Sequence, residues 1–407
     1  MPFTIIVSLA FIILTDFLFG YRLKKWFQKK GFKTVYLLHS LLFILCVLVI
    51  PWVMSKTESP ERHLWTSQLI AVIFLFYVPK LLYLVLYGLG YLFKKHLPSL
   101  FHIVDFTARG IAIILFIVQL YSITGGRYNY KITNVEVPVT HLPASFDGFK
   151  IVQLSDIHLG SYGKNYKGIS RLVEEVNGLH PDLIVFTGDM VNNMASEMPH
   201  WIPVLRQLHA PYGKYAVTGN HDYGHYVRWD SREAREENMR QFYKNMQAMG
   251  FHMLDNTHVP LTCQHDTLWL AGVENWGNPP FPRYGKLDEA LRGLSPEAPV
   301  ILLSHDPSHW RGEVLSHPIP LTLSGHTHAM QAGIQIGNWE WSPSKYFYPE
   351  YDGLYREGKQ YLHVSRGQGF IGYPGRVGLR PVITQITLKQ ETEQTTKETT
   401  GSDIKEI

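Results

Sequence analysis

Four apolar stretches come first along the chain, at roughly residues 3–21, 35–54, 64–87 and 103–122. Each is close to the ~20 residues a helix needs to cross a bilayer. Ile5–Leu14 and Leu41–Ile50 carry no polar stripe, which a buried helix of a soluble protein would show. The first stretch lacks a basic start and a small-residue cleavage motif, so it reads as a span and not as a cleaved signal. The third is the least regular. Pro79 and Lys80 fall inside it, so the span is expected to finish near Tyr83, with Lys80 snorkelling from its end and Leu81–Phe93 partly in the interface.

Beyond Gly125-Gly126 the period changes. Tyr130–Val139 alternates weakly, as an edge strand does, and Asp147-Gly148 signals a turn. From Lys150 onward, apolar strands alternate with loops and helices. Ile151–Leu154 leads into Ser155-Asp156-Ile157-His158, and Ile169–Leu179 has helical spacing. Asp182–Thr187 ends in Gly188-Asp189, and Lys214–Thr218 in Gly219-Asn220-His221-Asp222. Val300–Leu303 runs into Ser304-His305, and Pro320–Leu323 into Ser324-Gly325-His326-Thr327-His328. Five buried strands thus end in Asp, His or Asn, at the strand ends where α/β sheets form ligand sites. From about residue 391 to 407 the chain is polar and low in complexity, and a disordered tail is expected.

Charge separates the two ends. Residues 1–125 hold 12 Lys/Arg and 4 Asp/Glu, and the remainder holds 26 and 30. The larger, mildly acidic part lacks the clustered cations of a duplex-DNA surface, so nucleic acid is not an expected partner. Six cations and no anion fill Arg22–Lys33, between the first two spans, and Lys94-Lys95 follow the third. Positive loops stay in the cytoplasm, so four spans place the region after residue 123 outside it, on a multi-pass cell-membrane protein whose first partner is the lipid bilayer. Only two cysteines occur, Cys46 and Cys263, too few for a disulfide framework or a cysteine-rich zinc site.

Any metal must therefore use His, Asp and Asn. Imidazole and carboxylate together suit Zn, Fe or Mn. The strand ends hold more such residues than one tetrahedral site can use, and enough for two sites sharing a ligand. Two metals ~3.5–4 Å apart clamp the attacking and leaving oxygens of a phosphoryl displacement. A histidine taken singly is more often a core residue, and His180, His200, His209, His309 and His317 keep that reading.

The blocks Asp156-x-His158, Gly188-Asp189, Gly219-Asn-His-Asp222, His305 and Gly325-His-Thr-His328, in that order, resemble the calcineurin-like metallophosphoesterase family over residues 148–390. Leu154–Gly160, Gly219–Tyr223, Leu303–Pro307, Gly353-Leu-Tyr355 and Val364–Gly367 are similar to its membrane-associated YkuE/YaeI-type group. The resemblance implies an α+β fold: a two-sheet β-sandwich flanked by helices, here preceded by four transmembrane helices. It implies two divalent metal ions, one held by Asp156, His158 and His328, the other by Asn220, His305 and His326, with Asp189 bridging. His221 is then not a ligand but faces the leaving-group oxygen as general acid. Asp222 is assigned to the catalytic group, either steadying His221 or capping a turn. Arg366 is a candidate phosphate contact, because arginine pairs bidentately with phosphate oxygens; a salt bridge is its structural alternative. Trp276, Trp310, Trp339 and Trp341 are candidates to line a substrate pocket, stack on a base or sit at the membrane interface, with core or rim packing the favoured reading.

Two departures from the group's pattern stand out. Ala329-Met330 replace the usual glycines after the last block, which narrows the pocket floor. Asn192-Asn193 stand where an acidic residue is common, which removes a charge near the metals.

The expected organisation is a membrane region over 1–125, a catalytic domain over 126–390 and the tail. The expected reaction is hydrolysis of a phosphoester, with phosphodiesters favoured, by a hydroxide held between two metals. An extracytoplasmic tether points to envelope lipids or glycolipids as substrates. The alternatives are a cytoplasm-facing pyrophosphatase of UDP-sugar lipids and a catalytically silent metal-binding scaffold.

Overall fold

The computed structural model describes residues 2–54, 59–337, 339–391 and 404–405. It divides into two units, residues 1–125 with 372–375, and the rest. In the first, four helices follow the apolar stretches: α1 (Pro2–Arg22), α2 (Lys30–Met54), α3 (Pro60–Tyr91) and α4 (Pro98–Thr124). All four are long and apolar enough to cross a membrane. Most of their large apolar side chains face outward, as lipid-facing helices require.

The third helix corrects the sequence expectation. It neither ends near Tyr83 nor breaks at Pro79, but runs on to Tyr91. Proline is tolerated inside membrane helices because neighbouring groups re-satisfy the freed backbone. Nor does Lys80 snorkel: its Nζ lies 2.7 Å from Asp16 Oδ1 and 2.8 Å from His39 Nε2. Tyr77 donates to the other Asp16 oxygen at 2.7 Å. A buried carboxylate one helix away thus satisfies the ammonium where it stands.

In the second unit, two sheets face each other. The first contains β1 (Lys131–Val139), β2 (Lys150–Leu154), β3 (Leu183–Phe186), β4 (Lys214–Ala216), β5 (Phe251–Met253) and, from the far end of the chain, β14 (Val382–Gln390). Its spatial order is β1-β14-β2-β3-β4-β5. Strand β1, at an edge as its pattern predicts, pairs in parallel with β14, from Lys131 against Val382 to Val139 against Gln390.

The second sheet uses β6 (Thr257–Cys263), β7 (Asp266–Gly272), β8 (Val300–Leu303), β9 (Leu321–Ser324), β12 (Gly353–Glu357) and β13 (Gln360–Val364), ordered β12-β13-β9-β8-β7-β6. A small separate hairpin, β10 (Ile334–Ile336) and β11 (Trp339–Trp341), intervenes in sequence. Of the polar tail, only Glu391 and Ile404–Lys405 lie among the described residues; the last two add to the β12 edge.

Between the sheets lies an apolar layer that includes Val137, Phe146, Ile151, Val185, Leu270, Leu303 and Ile386. Helices α5 (Lys167–Gly178) and α6 (Arg232–Ala248) cover the outer face of the first sheet through Leu172, Val176, Phe242 and Met246. The chain is therefore an α+β sandwich with outer helices, preceded in sequence by four membrane helices. The parallel strands β2, β3 and β4 of one sheet and β8 and β9 of the other deliver their carboxyl ends, with the polar motifs, to one region.

Candidate metal centre

Five of the seven predicted ligands leave their strand ends on strained turns. Asp156, His158, Asp189, His326 and His328 all have φ between 50° and 73°, the left-handed region that non-glycine residues avoid. Such conformations persist only where the surroundings over-determine them, typically at functional sites.

The supports are visible. The backbone N–H of Asp156 bonds Gly188 O at 2.8 Å, and that of His158 bonds Asp189 O at 3.2 Å. Gly219 and Gly325 serve close approach. A Cβ on Gly219 would collide with the Asp189 carboxylate, and one on Gly325 with Ser155 and Asp156.

Two groups of ligand atoms converge: Asp156, His158 and His328 in one, Asp189, His305 and His326 in the other, each within 4.8 Å. His158 Nε2 faces His328 Nε2 at 3.0 Å, and His328 Nε2 lies 3.4 Å from Asp156 Oδ1. In the second group, Asn220 Oδ1 lies 3.2 Å from His305 Nε2 and 2.9 Å from His326 Nδ1. Asp189 Oδ2 stands between the groups, 3.2 Å from His305 Nε2 and 3.7 Å from His158 Nε2. Its Oδ1 is turned away and accepts the His221 backbone N–H at 2.8 Å.

These residues fit divalent cations. His305 Nδ1 lies 2.7 Å from the Thr187 carbonyl, so a neutral ring donates there and turns the Nε2 lone pair toward the Asp189 and Asn220 oxygens. Oxygen and imidazole nitrogen atoms that meet around one point suit a cation there. The carboxylates make this a point that favours positive charge, whether a proton on His305 Nε2 or a metal ion. Burial works against a charge on His305, yet the Asp189 and Asp156 carboxylates pull it up to about 10. Burial opposes ionisation of Asp189 too, but His305, His221 and His158 hold its carboxyl well below the usual range. Burial alone dominates at His158, pushed down to about 3, which keeps the ring in the neutral form that ligates.

His221 lines the adjoining cleft of about 480 Å³, with Asp189, Asn220, His326 and His328. Its Nδ1 donates to Asn192 O at 2.7 Å, which leaves Nε2 for the cleft. A backbone carbonyl thus orients this ring. Asp222 does not reach His221. Its two oxygens accept the backbone N–H groups of Asp189, Met190, Val191 and Gly219 at 2.9–3.2 Å, lacing two ligand loops together.

Arg366 is buried and bonds Asp352 and Glu340, and it is absent from the cleft lining. The ion pair takes the guanidinium because both carboxylates lie beside it. Met330 lines the cleft, whereas Ala329 is buried against Tyr351 and Leu379. His309 bonds Ser304 and Glu313, as a structural histidine. Trp276 and Trp310 are buried, and Trp339 is exposed.

Several residues that position the site escaped sequence reading. Tyr226 Oη accepts from Asn220 Nδ2 at 2.8 Å, which aims Oδ1 at the imidazoles. Tyr348 Oη lies 2.8 Å from His326 Nε2, and Arg376 donates to His328 O at 3.3 Å. Tyr226 lies six residues past Asn220 in the same loop and could have been suspected; Tyr348 and Arg376 arrive only through tertiary folding.

Glu197 is buried and accepts N–H groups from Gly160, Asn192, Asn193 and Met194 at 2.6–3.0 Å. In Glu197→Gln an NH₂ would meet two of those donors. Each donor left unpaired costs about 1–3 kcal/mol. A fall in Tm by calorimetry is expected; an unchanged Tm would remove Glu197 from the scaffold of the site.

Motifs, fold and converging ligands place the chain in the calcineurin-like metallophosphoesterase family. Residues 149–330 match the family model described as "Calcineurin-like phosphoesterase", and residues 1–127 match "Probable Calcineurin-like phosphoesterase, transmembrane domain". The chain is 34% identical to the metallophosphoesterase YkuE of Bacillus subtilis over 281 residues, 65% of this chain and 91% of YkuE. It is 32% identical to a transmembrane protein with metallophosphoesterase domain of Danio rerio over 68% of this chain, and spans only 62% of that protein. The UDP-2,3-diacylglucosamine pyrophosphatase LpxG of Chlamydia trachomatis is 26% identical over 56% of this chain and 81% of LpxG.

Proposed function

We propose that the protein hydrolyses phosphodiester or pyrophosphate bonds with two divalent metals, one at Asp156, His158 and His328, one at Asn220, His305 and His326, joined through Asp189. The observation that carries this reading is the placement of Asp189 Oδ2 between the two ligand groups, with His221 on the wall of the same cleft. A divalent pair supplies Lewis-acid polarisation of phosphoryl oxygens and a nucleophile at neutral pH. The chain supplies the rest. Strained turns fix the ligand atoms, Asp222 and Glu197 hold the loops that carry them, and His221 delivers a proton from Nε2 to the departing oxygen.

The purified full chain should hydrolyse bis-p-nitrophenyl phosphate with Mn²⁺, lose activity to a chelator and regain it with metal. Bound metal without turnover on any diester or pyrophosphate would favour the silent scaffold.

A substrate with an apolar part has its own support. Phe281, Met330, Phe347 and Ile371 line the cleft beside the ligands, with Met330 50% and Phe347 71% exposed. The neighbouring hairpin exposes Ile334, Ile336 and Trp339. Exposed apolar side chains gathered at a cleft mark binding surface. A lipid-linked phosphoester, as the name of the chlamydial relative indicates for that protein, fits such a rim. In Phe347→Ser, KM should rise for an acylated diester and stay unchanged for its soluble analogue; equal effects would remove the lipid reading and leave the hydrolysis.

The catalytic unit lies outside the cytoplasm in this reading, because the basic Arg22–Lys33 segment stays inside and four spans follow from the N-terminus. Alkaline phosphatase fused after residue 125 should be active, and green fluorescent protein dark. The reverse pattern would turn the unit inward and favour the cytoplasm-facing pyrophosphatase.

A further inference from the structure

Between α1, α3 and α4 lies a second cleft, of about 510 Å³, lined by Arg22, Lys80 and Arg109 among apolar side chains. Charged groups within membrane helices are costly and mark functional sites by default. Lys80 is balanced by Asp16 at 2.7 Å. The arginines are not balanced one to one. Among the described residues Asp105 alone serves both, accepting from Arg22 Nη2 at 3.1 Å, from Arg109, and from Tyr83 Oη at 2.9 Å. Two guanidinium groups on one carboxylate leave an excess positive charge facing the cleft.

The level of this charge in the bilayer follows from helix length. The apolar run Ile5–Arg22 comprises 18 residues, or about 27 Å of helix, close to the ~30 Å hydrocarbon core. Arg22 therefore stands where hydrocarbon gives way to head groups, beside the basic loop, and Arg109 shares its carboxylate there. Below them, Phe76, Ile113 and Phe116 wall the cleft.

We propose that this cleft binds one anionic phospholipid from the leaflet on the side of the basic loop. Its phosphate lies against Arg22 and Arg109, and its acyl chains run along Phe76, Ile113 and Phe116. Guanidinium pairs with phosphate oxygens through two parallel hydrogen bonds. Basic pockets between membrane helices on the cytoplasmic side are suited to anionic head groups. The phosphate supplies the negative charge that Asp105 cannot, and a molecule with acyl chains replaces bilayer lipid along the apolar wall.

The test uses the full chain in detergent, exchanged with phosphatidylcholine and phosphatidylglycerol, with retained lipid read by native mass spectrometry. One phosphatidylglycerol per chain is expected, retained over phosphatidylcholine. Arg109→Gln removes the excess charge and leaves Arg22–Asp105 as a balanced pair, so the helices should still fold. Its retention of phosphatidylglycerol should fall at least about tenfold, as for loss of a charge-assisted hydrogen bond. Arg109→Lys should keep most of it, and Lys24→Gln with Lys25→Gln should change it little. Phosphatidylglycerol should also raise the Tm of the parent chain and not of Arg109→Gln. Equal retention by the parent and Arg109→Gln, or loss only with the loop lysines, would overturn the site. An equal rise in Tm with inorganic phosphate would overturn the lipid and leave a plain phosphate site.

Discussion

Asp189→Asn is expected to abolish nearly all turnover and to empty both metal positions. The amide would keep its oxygen on the His221 N–H that Oδ1 accepts now at 2.8 Å, which puts NH₂ where Oδ2 stands between His158 and His305. A donor at that point cannot ligate, and it loses the negative charge that the cations need. Removing one partner of a buried charge pair costs about 3–5 kcal/mol, here about 10²–10⁴-fold in kcat/KM. Metal content by mass spectrometry, measured beside turnover, checks both parts. Two bound ions with full activity would refute the bridging assignment.

His221→Gln should leave the metals in place and slow the reaction according to the leaving group. The ring is held by Asn192 O and touches the cleft through its other edge. General-acid catalysis is typically worth about 10²–10⁴-fold. An alkyl diester, whose departing oxygen needs a proton, should lose that much. A p-nitrophenyl ester should lose far less, because its phenolate leaves unaided. A uniform loss across both would assign His221 to substrate binding.

The ligand motifs were legible because each is local: a strand, then two or three residues that a tight turn aims. Asp156, Asp189 and His305 needed only their own strand ends to be noticed. What those turns lean on was not local. Asp222 follows His221 directly yet serves backbone amides more than thirty residues away, at Asp189–Val191. Arg366 has the chemistry of a phosphate contact, but Asp352 and Glu340 occupy it. The end of α3 was misread for a similar reason: Pro79 and Lys80 look like a stop until Asp16, from another helix, is brought beside them. Burial and pairing decide such residues, and pairing across the fold leaves little trace in a local pattern.

The position of β14 bears on how the protein is made. It lies between β1 and β2, so the strand that directly follows the last membrane helix has its partner some 250 residues later in the chain, at Val382–Gln390. During synthesis the four helices are complete early, while β1 waits unpaired for nearly the whole remaining chain to emerge. Pairing of such high sequence separation is slow and leaves strand edges exposed meanwhile. The membrane part should therefore be inserted well before the first sheet can close, and a chain cut short of residue 382 would be anchored but unable to complete its catalytic domain.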